Sequence, residues 1–194
     1  MKKIESTLPN MVVVLVGVAM LTGALLAWVN HTTATQKEIV QRESLANDIQ
    51  KVMDGTKVKE TDVQTVQKKI NGKNYTFVVH KLALVNGESA GSAIETMEMG
   101  FGGKLVILVG FDKENRVLGY TIRETTETPG LGAKADTWFQ KGAKGDITGK
   151  NPTIGKFAVS KDGGDVDAIT ASTITSRAFL KAVKQAAEVA QTIK

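Results

Sequence analysis

The chain begins with a long stretch that carries no charge. Residues 11–29 are mostly Val, Leu, Ala and Met, without a charged side chain. At about 1.5 Å per helical residue, this stretch is long enough to cross the hydrocarbon core of a bilayer. A cleaved signal peptide would have a shorter apolar core and a small-residue cleavage site directly after it, and this sequence has neither. We therefore predict a retained transmembrane helix over residues 11–29.

The charge that precedes this stretch predicts its orientation. Lys2 and Lys3 lie just before the apolar residues, and positive charge tends to stay on the cytoplasmic side of a membrane. We therefore expect residues 1–10 in the cytoplasm. The rest of the chain is then expected outside, in the periplasm or its equivalent at a bacterial inner (cell) membrane.

A polar helix is predicted after the membrane stretch, ending at Asp54-Gly55. A sparse apolar stripe runs along it, formed by Ile39, Leu45, Ile49, Val52 and Met53. Such a stripe is typical of a helix packed on one side, so residues 30–56 form either a stalk or the first helix of a domain. Residues 58–69 are polar without a usable period, and we interpret them as a connection.

Four later segments have the alternating or continuously apolar pattern of β-strands. They are residues 75–82, 92–97, 104–111 and 117–123. An Asn71-Gly72 turn precedes the first, and a tight turn at residues 112–115 joins the last two, so we predict an antiparallel meander. Residues 105–109 are apolar at every position, which predicts a central strand covered on both faces. We expect His80 to face solvent from its strand.

The last third of the chain predicts loops and one long helix, which makes the fold class α+β. A short helix is expected at residues 136–139, with Trp138 either in the core, the safer interpretation, or stacked on a bound ring. A hairpin is expected over residues 157–169. From Phe179 onward, apolar side chains recur at three- and four-residue steps, which predicts a helix with one buried face. They are Phe179, Ala182, Val183, Ala186, Val189, Ala190 and Ile193.

Composition excludes several kinds of function. The 194 residues, of which 42% are hydrophobic, suffice for one domain plus an appendage. The net charge of +5 is spread thinly and the arginines are scattered, so we predict no nucleic-acid binding. Without cysteine the chain cannot form a disulfide, a thiolate metal site or a cysteine-ligated iron–sulfur cluster. Its two histidines have no partner motif, and we predict no metal site.

The chain also lacks the motifs of a self-sufficient enzyme. It contains no G-x-S-x-G, no Walker loop, and no G-x-G-x-x-G between a strand and a helix. We therefore predict no catalytic residues, and any redox chemistry must come from a bound group.

Hydroxyl side chains cluster where the last helix is predicted to begin. The residues are Thr170, Ser172, Thr173 and Thr175. Small hydroxyl residues favour the first turn of a helix, where backbone amides lack partners within the helix. Those amides and the positive end of the helix dipole suit a phosphate. A plain Ser/Thr cap is the alternative.

The order of residues in and before this cluster resembles a known signature. Asp167-Ala-Ile-Thr170-Ala171-Ser172-Thr173 resembles the D-x-x-[S/T]-G-A-T signature of the flavin-carrying domain in the RnfG and NqrC families, with Ala171 in place of Gly and Ser172 in place of Ala. The segment Glu127-Thr128-Pro129-Gly130-Leu131-Gly132 is similar to the E-T-P-G-L-G loop of the same families. The glycine-rich residues 100–103 and the strand after them are a third similarity, and the three occur in the family's order.

The resemblance implies a cofactor and the residues that hold it. FMN would be bound through a phosphoester to Thr173 by a separate flavin transferase that uses FAD and magnesium. Thr128, Gly130 and Leu131 would approach the flavin, and Asp167 would help the transferase to recognise its target. The FMN-binding domain would occupy residues 57–194.

The resemblance also implies a function. The chain would be a membrane-anchored flavoprotein subunit that relays electrons between other subunits of an Rnf-type ferredoxin:NAD oxidoreductase complex coupled to ion translocation. The compact chain favours RnfG over NqrC, the corresponding component of a sodium-translocating NADH:quinone reductase. Two other interpretations stay open at this point: a membrane-tethered extracellular flavin reductase, and an unmodified interaction module whose hydroxyl cluster is only a helix cap.

Overall fold

The computed structural model describes residues 7–70 and 72–193, with residues 33–39 described by their backbone alone. Its helices and strands follow the order α, five β, then two α, which confirms the predicted α+β class. They are α1 (Leu8–Val52), β1 (Val58–Ile70), β2 (Lys73–Leu84), β3 (Ser89–Met99), β4 (Lys104–Phe111), β5 (Val117–Thr125), the short α2 (Ala135–Trp138) and α3 (Thr173–Thr192). Short 3₁₀ turns occur at Gly132–Lys134 and Ser160–Asp162.

The chain divides into two compact units, Met1–Ala46 and Asn47–Lys194. The first unit contains most of α1. Within the described residues, Leu8–Thr32 forms a helical segment of 25 residues that is long and apolar enough to cross a membrane. This segment indicates membrane anchoring. Lys2 and Lys3, on which the predicted orientation depends, lie outside the described residues.

The second unit is built on one antiparallel sheet. Its strand order is β1-β2-β3-β4-β5, so every strand pairs with its neighbours in sequence. This confirms the predicted meander and the strands predicted at residues 75–82, 92–97, 104–111 and 117–123. The predicted Asn71-Gly72 turn falls partly outside the described residues, because only Gly72 is described. It has the positive φ of 79° that such a turn requires.

The interpretation of residues 58–69 as a connection is wrong, because they form most of β1. Most of this edge strand is exposed, and its burial alternates near its end, where Val66 and Ile70 are partly buried against the core. The pairing with β2 creates the strand, with only a bulge between Glu60 and Asp62 interrupting the register.

One face of the sheet is covered by α3. The predicted apolar face of this helix is buried there, except for Ile193, which is only partly buried. Phe179 lies at the centre: its ring stacks on Phe139 at 4.3 Å between centroids and meets Tyr120 edge-on at 4.7 Å. Full burial of a side chain of this size contributes about 1.5–3 kcal/mol to folding. The helix is therefore held firmly along its length, and its first turn has a defined position.

The other face of the sheet is covered by the last turn of α1. Ile49, Val52 and Met53 are buried there. Gly110 and Gly119 face each other across β4 and β5, and both lie against the carbonyl of Val52. β4 is buried from Leu105 to Phe111, which confirms the prediction that both of its faces are covered. In the strand order it lies between β3 and the edge strand β5, so it is an interior strand rather than the middle one.

The prediction that His80 faces solvent is wrong. His80 is 4% exposed, and its Nδ1 lies 2.7 Å from Oε2 of Glu60. Glu60 belongs to β1, which the sequence pattern did not reveal. The unrecognised edge strand thus supplies the partner of His80.

The predicted hairpin over residues 157–169 is also wrong in detail. Its two arms meet in a single parallel bridge between Val159 and Val166 rather than in an antiparallel ladder. The Ser160–Asp162 3₁₀ turn and Gly163, with a φ of 78°, reverse the chain too tightly for paired strands. Gly164 then packs against the backbone of Ala158 with no room for a side chain.

Candidate functional site

The first turn of α3 begins from a tight backbone turn. The amide of Ser172 donates to the carbonyl of Ile169 at 3.0 Å, and Ala171 has a φ of 60°. The Ser176 hydroxyl secures this turn from inside the helix, because it accepts from the Ile169 amide and donates to the Ser172 carbonyl, each at 2.9 Å. The left-handed conformation of Ala171 explains why glycine suits this position of the signature.

The hydroxyl cluster does not act as a plain cap. Ser172 is the N-cap residue of α3, yet among the described residues its side chain makes no capping hydrogen bond. The amides of Thr173, Ile174 and Thr175 have no acceptor within the helix. They remain available to an anion, for which the helix dipole adds a favourable potential. Thr173, the first residue of the helix, is half-buried.

A buried carboxylate connects the three sequence motifs. Glu127 is 7% exposed. Its Oε1 accepts from the amide of Gly102 at 3.1 Å, and its Oε2 accepts from the hydroxyl of Thr175 at 3.0 Å. The glycine-rich segment at 100–103, the loop at 127–132 and the start of α3 therefore meet at one side chain.

Glycines make room for this carboxylate. A methyl group added at Gly100 would overlap Oε1 of Glu127, and one added at Gly132 would overlap Oε2. The absence of a side chain at these positions is thus required by the approach of Glu127. The sequence alone predicts a turn or a ligand contact for these glycines, not contact with a buried carboxylate.

A cavity of about 310 Å³ opens beside Glu127 and the start of α3. Three apolar side chains on its walls are exposed to a degree unusual for their size: Phe101 at 73%, Ile174 at 53% and Leu131 at 42%. Apolar walls suit a planar aromatic ring, and the free amides at the start of α3 suit a phosphate. The residues present therefore fit FMN.

Most of the residues predicted for the site are brought together on these walls. They are Glu127, Thr128, Leu131, Gly132, Ala171, Ser172 and Thr173. Asp167, Thr170 and Gly130 do not line the cavity and are exposed. Gly130 has a φ of 78° in the turn closed by the Leu131 amide and the Thr128 carbonyl at 3.1 Å, so its role is to shape the loop.

Sequence reasoning missed two features of the wall. Phe101 lies within the recognised glycine-rich segment, and its exposed aromatic ring between glycines was the available signal. Ile174 continues the helix start, where its apolar side chain lies outside the buried face of α3. Both line the cavity.

The lysines of the loop at residues 141–150 do not line the cavity. Lys141 lies 3.6 Å from Asp54, and Lys150 donates to the carbonyl of Asp165 at 2.9 Å. Arg177, one turn into α3, makes a two-pronged ion pair with Asp162 at 2.7 Å. This hydrogen bonding holds the pKa of Asp162 below its usual range. It ties the Ser160–Asp162 turn to the helix beside the cavity.

A larger cavity of about 500 Å³ lies between the β2–β3 turn and the end of α3. None of its lining residues belongs to the three motifs. We therefore place the candidate site at the smaller cavity, whose walls carry residues of the motifs. Within the described residues no group of three or more His, Asp or Glu side chains could hold a metal ion.

Comparison with known proteins agrees with this site. Residues 100–188 match the model of the FMN-binding domain family. The chain is 34% identical over 187 residues to RnfG, the G component of the ion-translocating oxidoreductase complex, of Photorhabdus laumondii, covering 90% of this chain and 86% of that protein.

Other relatives match over a shorter region. RnfG of Aliivibrio fischeri is 42% identical over 108 residues, which is 54% of this chain and 51% of that protein. The protein of the same name from Escherichia coli is 43% identical over 98 residues, which is 48% of this chain and 47% of that protein. These alignments span about half the length of the relatives.

Proposed function

Because the chain belongs to the RnfG family of the ion-translocating oxidoreductase complex and carries an FMN-binding domain, we propose that it is a membrane-anchored electron-carrier subunit with FMN attached covalently to Thr173. The observation that carries the proposal is the position of Thr173. Its half-buried side chain stands on the cavity wall at the start of α3, where three motifs meet.

The attachment is a group transfer from FAD, catalysed by a separate flavin transferase with magnesium. The Thr173 hydroxyl loses its proton and forms the new O–P bond, while the pyrophosphate bond of FAD breaks and AMP leaves. No electrons are exchanged in this step. The free amides of the first turn of α3 stabilise the phosphoester.

The residues on the cavity walls have different roles in holding the flavin. Phe101, Leu131 and Ile174 would offer apolar surface to the flavin ring, and Thr128 and Gly132 would complete the wall of its cavity. When bound, FMN supplies the electron-transfer chemistry that no side chain of the protein can provide. The covalent link prevents loss of the cofactor from an open site.

Asp167 and Thr170 have a different role from the wall residues. They lie next to the acceptor turn, exposed and outside the cavity. We assign them to the surface that the transferase recognises. Ala171 and Ser172 shape the turn between them and Thr173.

The apolar helix supports the following membrane arrangement, and Lys2 and Lys3 support its orientation. Residues 1–10 lie in the cytoplasm, residues 11–29 cross a bacterial inner membrane, and residues 30–56 connect it to the FMN-binding domain at 57–194, outside the cytoplasm. Other membrane and redox subunits of an Rnf-type ferredoxin:NAD oxidoreductase complex exchange electrons with the flavin. The relatives' names favour this complex over the sodium-translocating NADH:quinone reductase.

Intact mass of the protein extracted from its native membrane tests the attachment. We expect a mass above that of the polypeptide by about 440 Da, one FMN less water. Thr173→Ala abolishes the adduct, whereas Thr65→Ala, which removes an exposed hydroxyl of β1 away from the cavity, retains it. A native protein with the bare polypeptide mass would overturn the proposal, as would an adduct that survives in Thr173→Ala.

Membership in a complex is tested separately. After gentle detergent extraction, the protein should copurify with other membrane and redox subunits in fixed ratio. A flavin-loaded protein that always emerges alone would favour the membrane-tethered flavin reductase instead.

A further inference from the structure

Glu127 holds the two walls of the cavity at a fixed separation. Its Oε2 binds the hydroxyl of Thr175, in the same helical turn as Thr173, and its Oε1 binds the amide of Gly102, next to Phe101. We infer that Glu127 is a positioning residue for flavin attachment, because it aligns the Thr173 hydroxyl with the apolar wall against which the flavin is presented. This inference rests on the proposed attachment at Thr173.

The chemistry of Glu127 points to positioning rather than to stability. Among the described residues it has no ion-pair partner, and it is buried with its two oxygens accepting hydrogen bonds. Removing a carboxylate from water without an opposite charge is unfavourable, and an apolar side chain of similar size often stabilises a protein as well or better. An apolar side chain cannot accept hydrogen bonds from the Gly102 amide and the Thr175 hydroxyl, as Glu127 does.

The spacing of the contacts explains why one side chain can do this. Gly102 precedes Glu127 by 25 residues and Thr175 follows it by 48, so no local turn connects them. Gly102 is exposed and Thr175 is buried, and a methyl group added at Gly100 or Gly132 would overlap the carboxylate that lies between them. Thr175 is 1% exposed although it lines the cavity, and its hydroxyl donates to the carboxylate of Glu127.

The consequence concerns the rate of attachment. A hydroxyl that is free to move by about 1 Å reacts on the order of 100-fold more slowly than one held in line. The surface that the transferase recognises, with Asp167 and Thr170, does not include Glu127. Loss of the two hydrogen bonds of Glu127 should therefore lower the kcat of flavin transfer to this chain and leave the KM for this chain nearly unchanged.

The test uses the full chain, purified without flavin in detergent and modified with transferase, FAD and magnesium. Glu127→Met fills the space without accepting hydrogen bonds. Glu127→Gln keeps an oxygen that accepts from the Gly102 amide, and its NH₂ group donates to the Thr175 hydroxyl, which then acts as the acceptor. Thr175→Val and Thr175→Ser form the matching pair from the other side. Glu124→Met is the control, since Glu124 is exposed and pairs only with Lys104 among the described residues.

We expect Glu127→Met and Thr175→Val to lower kcat on the order of 100-fold, with KM within about twofold of the unsubstituted chain. Glu127→Gln, Thr175→Ser and Glu124→Met should keep kcat within about threefold. Attachment at the normal rate in a folded Glu127→Met protein would overturn the inference. So would a Glu127→Gln protein as slow as Glu127→Met, because the charge rather than the two contacts would then matter.

A second measurement does not depend on flavin. Amide hydrogen exchange of the unmodified chain should be faster over the first two turns of α3 in Glu127→Met and Thr175→Val than in Glu124→Met, while the rest of α3 is unchanged. Equal exchange in all three proteins would contradict the positioning role of Glu127 even if flavin attaches. If the unsubstituted chain takes no flavin but the expected exchange pattern appears, the proposed function fails, whereas the ordering of the start of α3 by Glu127 is retained.

Discussion

The indole N–H of Trp138 donates a hydrogen bond to the carbonyl oxygen of Asp167 at 2.9 Å. Trp138 ends α2, and its ring is partly buried against the edge of the core and does not line the cavity, which favours the core interpretation over stacking on a bound ring. Asp167 opens the segment that leads to Thr173. The bond therefore connects the short helix after the 127–132 loop with the start of the acceptor turn.

Replacement of Trp138 by Phe should loosen this connection. The Asp167 carbonyl loses its donor, and we expect the free energy of unfolding to fall by about 1 kcal/mol. Urea unfolding of the detergent-solubilised chain, followed by circular dichroism, measures the change. Trp28→Phe in the apolar helix is the matched control and should leave the domain transition where it was. Equal transitions in both variants would show that the indole bond contributes nothing.

Glycine at position 171 should stabilise the protein. Ala171 is exposed and adopts a φ of 60°, a left-handed conformation that costs a residue with a Cβ about 1–2 kcal/mol. Glycine avoids this cost but is more flexible when unfolded, so the net gain in unfolding free energy should be about 0.5–1 kcal/mol. Thermal or urea unfolding measures it.

Ala168→Gly is the control for this substitution. Ala168 lies in the same segment without a positive φ, so glycine there should lower the unfolding free energy. If both substitutions destabilise the protein to the same degree, the backbone strain assigned to Ala171 is absent.

Alanine at position 110 should disturb the packing of the last turn of α1. A methyl group at Gly110 would overlap the carbonyl of Val52, whereas one at Gly119 would lie 3.2 Å from the same oxygen. We expect Gly110→Ala to lower the unfolding free energy by about 1–3 kcal/mol and Gly119→Ala to change it by less than about 1 kcal/mol. The two glycines are cross-strand partners, so they share an environment and differ mainly in this contact. Equal effects would contradict the assigned packing.

Acid should weaken the loop that follows α2. Burial works to raise the pKa of Asp146, but the amides of Gly142 and Thr148, each donating at 2.7 Å, lower it more. A carboxylate whose pKa is lowered by folding stabilises the protein above its ordinary pKa of about 3.9, and this contribution is lost as pH falls through the folded value. Unfolding free energy measured from about pH 6 to pH 2.5 should fall less steeply in Asp146→Asn than in the unsubstituted chain. Parallel curves would assign the acid sensitivity to other groups.

The sheet from β2 to β5 and the long α3 were predictable because the pattern of apolar side chains along each element matches which of its faces are buried. β4 is apolar at every position from Leu105 to Val109, and the repeating apolar face of α3 matches its burial. β1 was not predictable, since most of this edge strand is exposed and its partly buried side chains, Val66 and Ile70, lie near its end, so that the pairing with β2 defines the strand. The error at His80 follows from the same cause, because the strand that supplies Glu60 was missing.

The site was predictable as a set of segments but not as a set of contacts. Family signatures pointed to the 127–132 loop and the start of α3, and the structure brings both to one cavity. The bond from Glu127 to Thr175 spans 48 residues, and no local pattern encodes it. Phe101 was overlooked for a related reason: a single aromatic residue between glycines becomes a wall only when a distant loop lies opposite.

The cavity wall joins residues from the middle of the chain with residues of α3, through one carboxylate. A nascent chain whose synthesis has not yet reached α3 cannot contain this cavity, since the start of that helix is one of its walls. Under the proposed attachment at Thr173, flavin would be accepted only by molecules in which the helix has been made and has packed against the sheet. The flavin-loaded fraction of these chains would then measure how many have completed that packing.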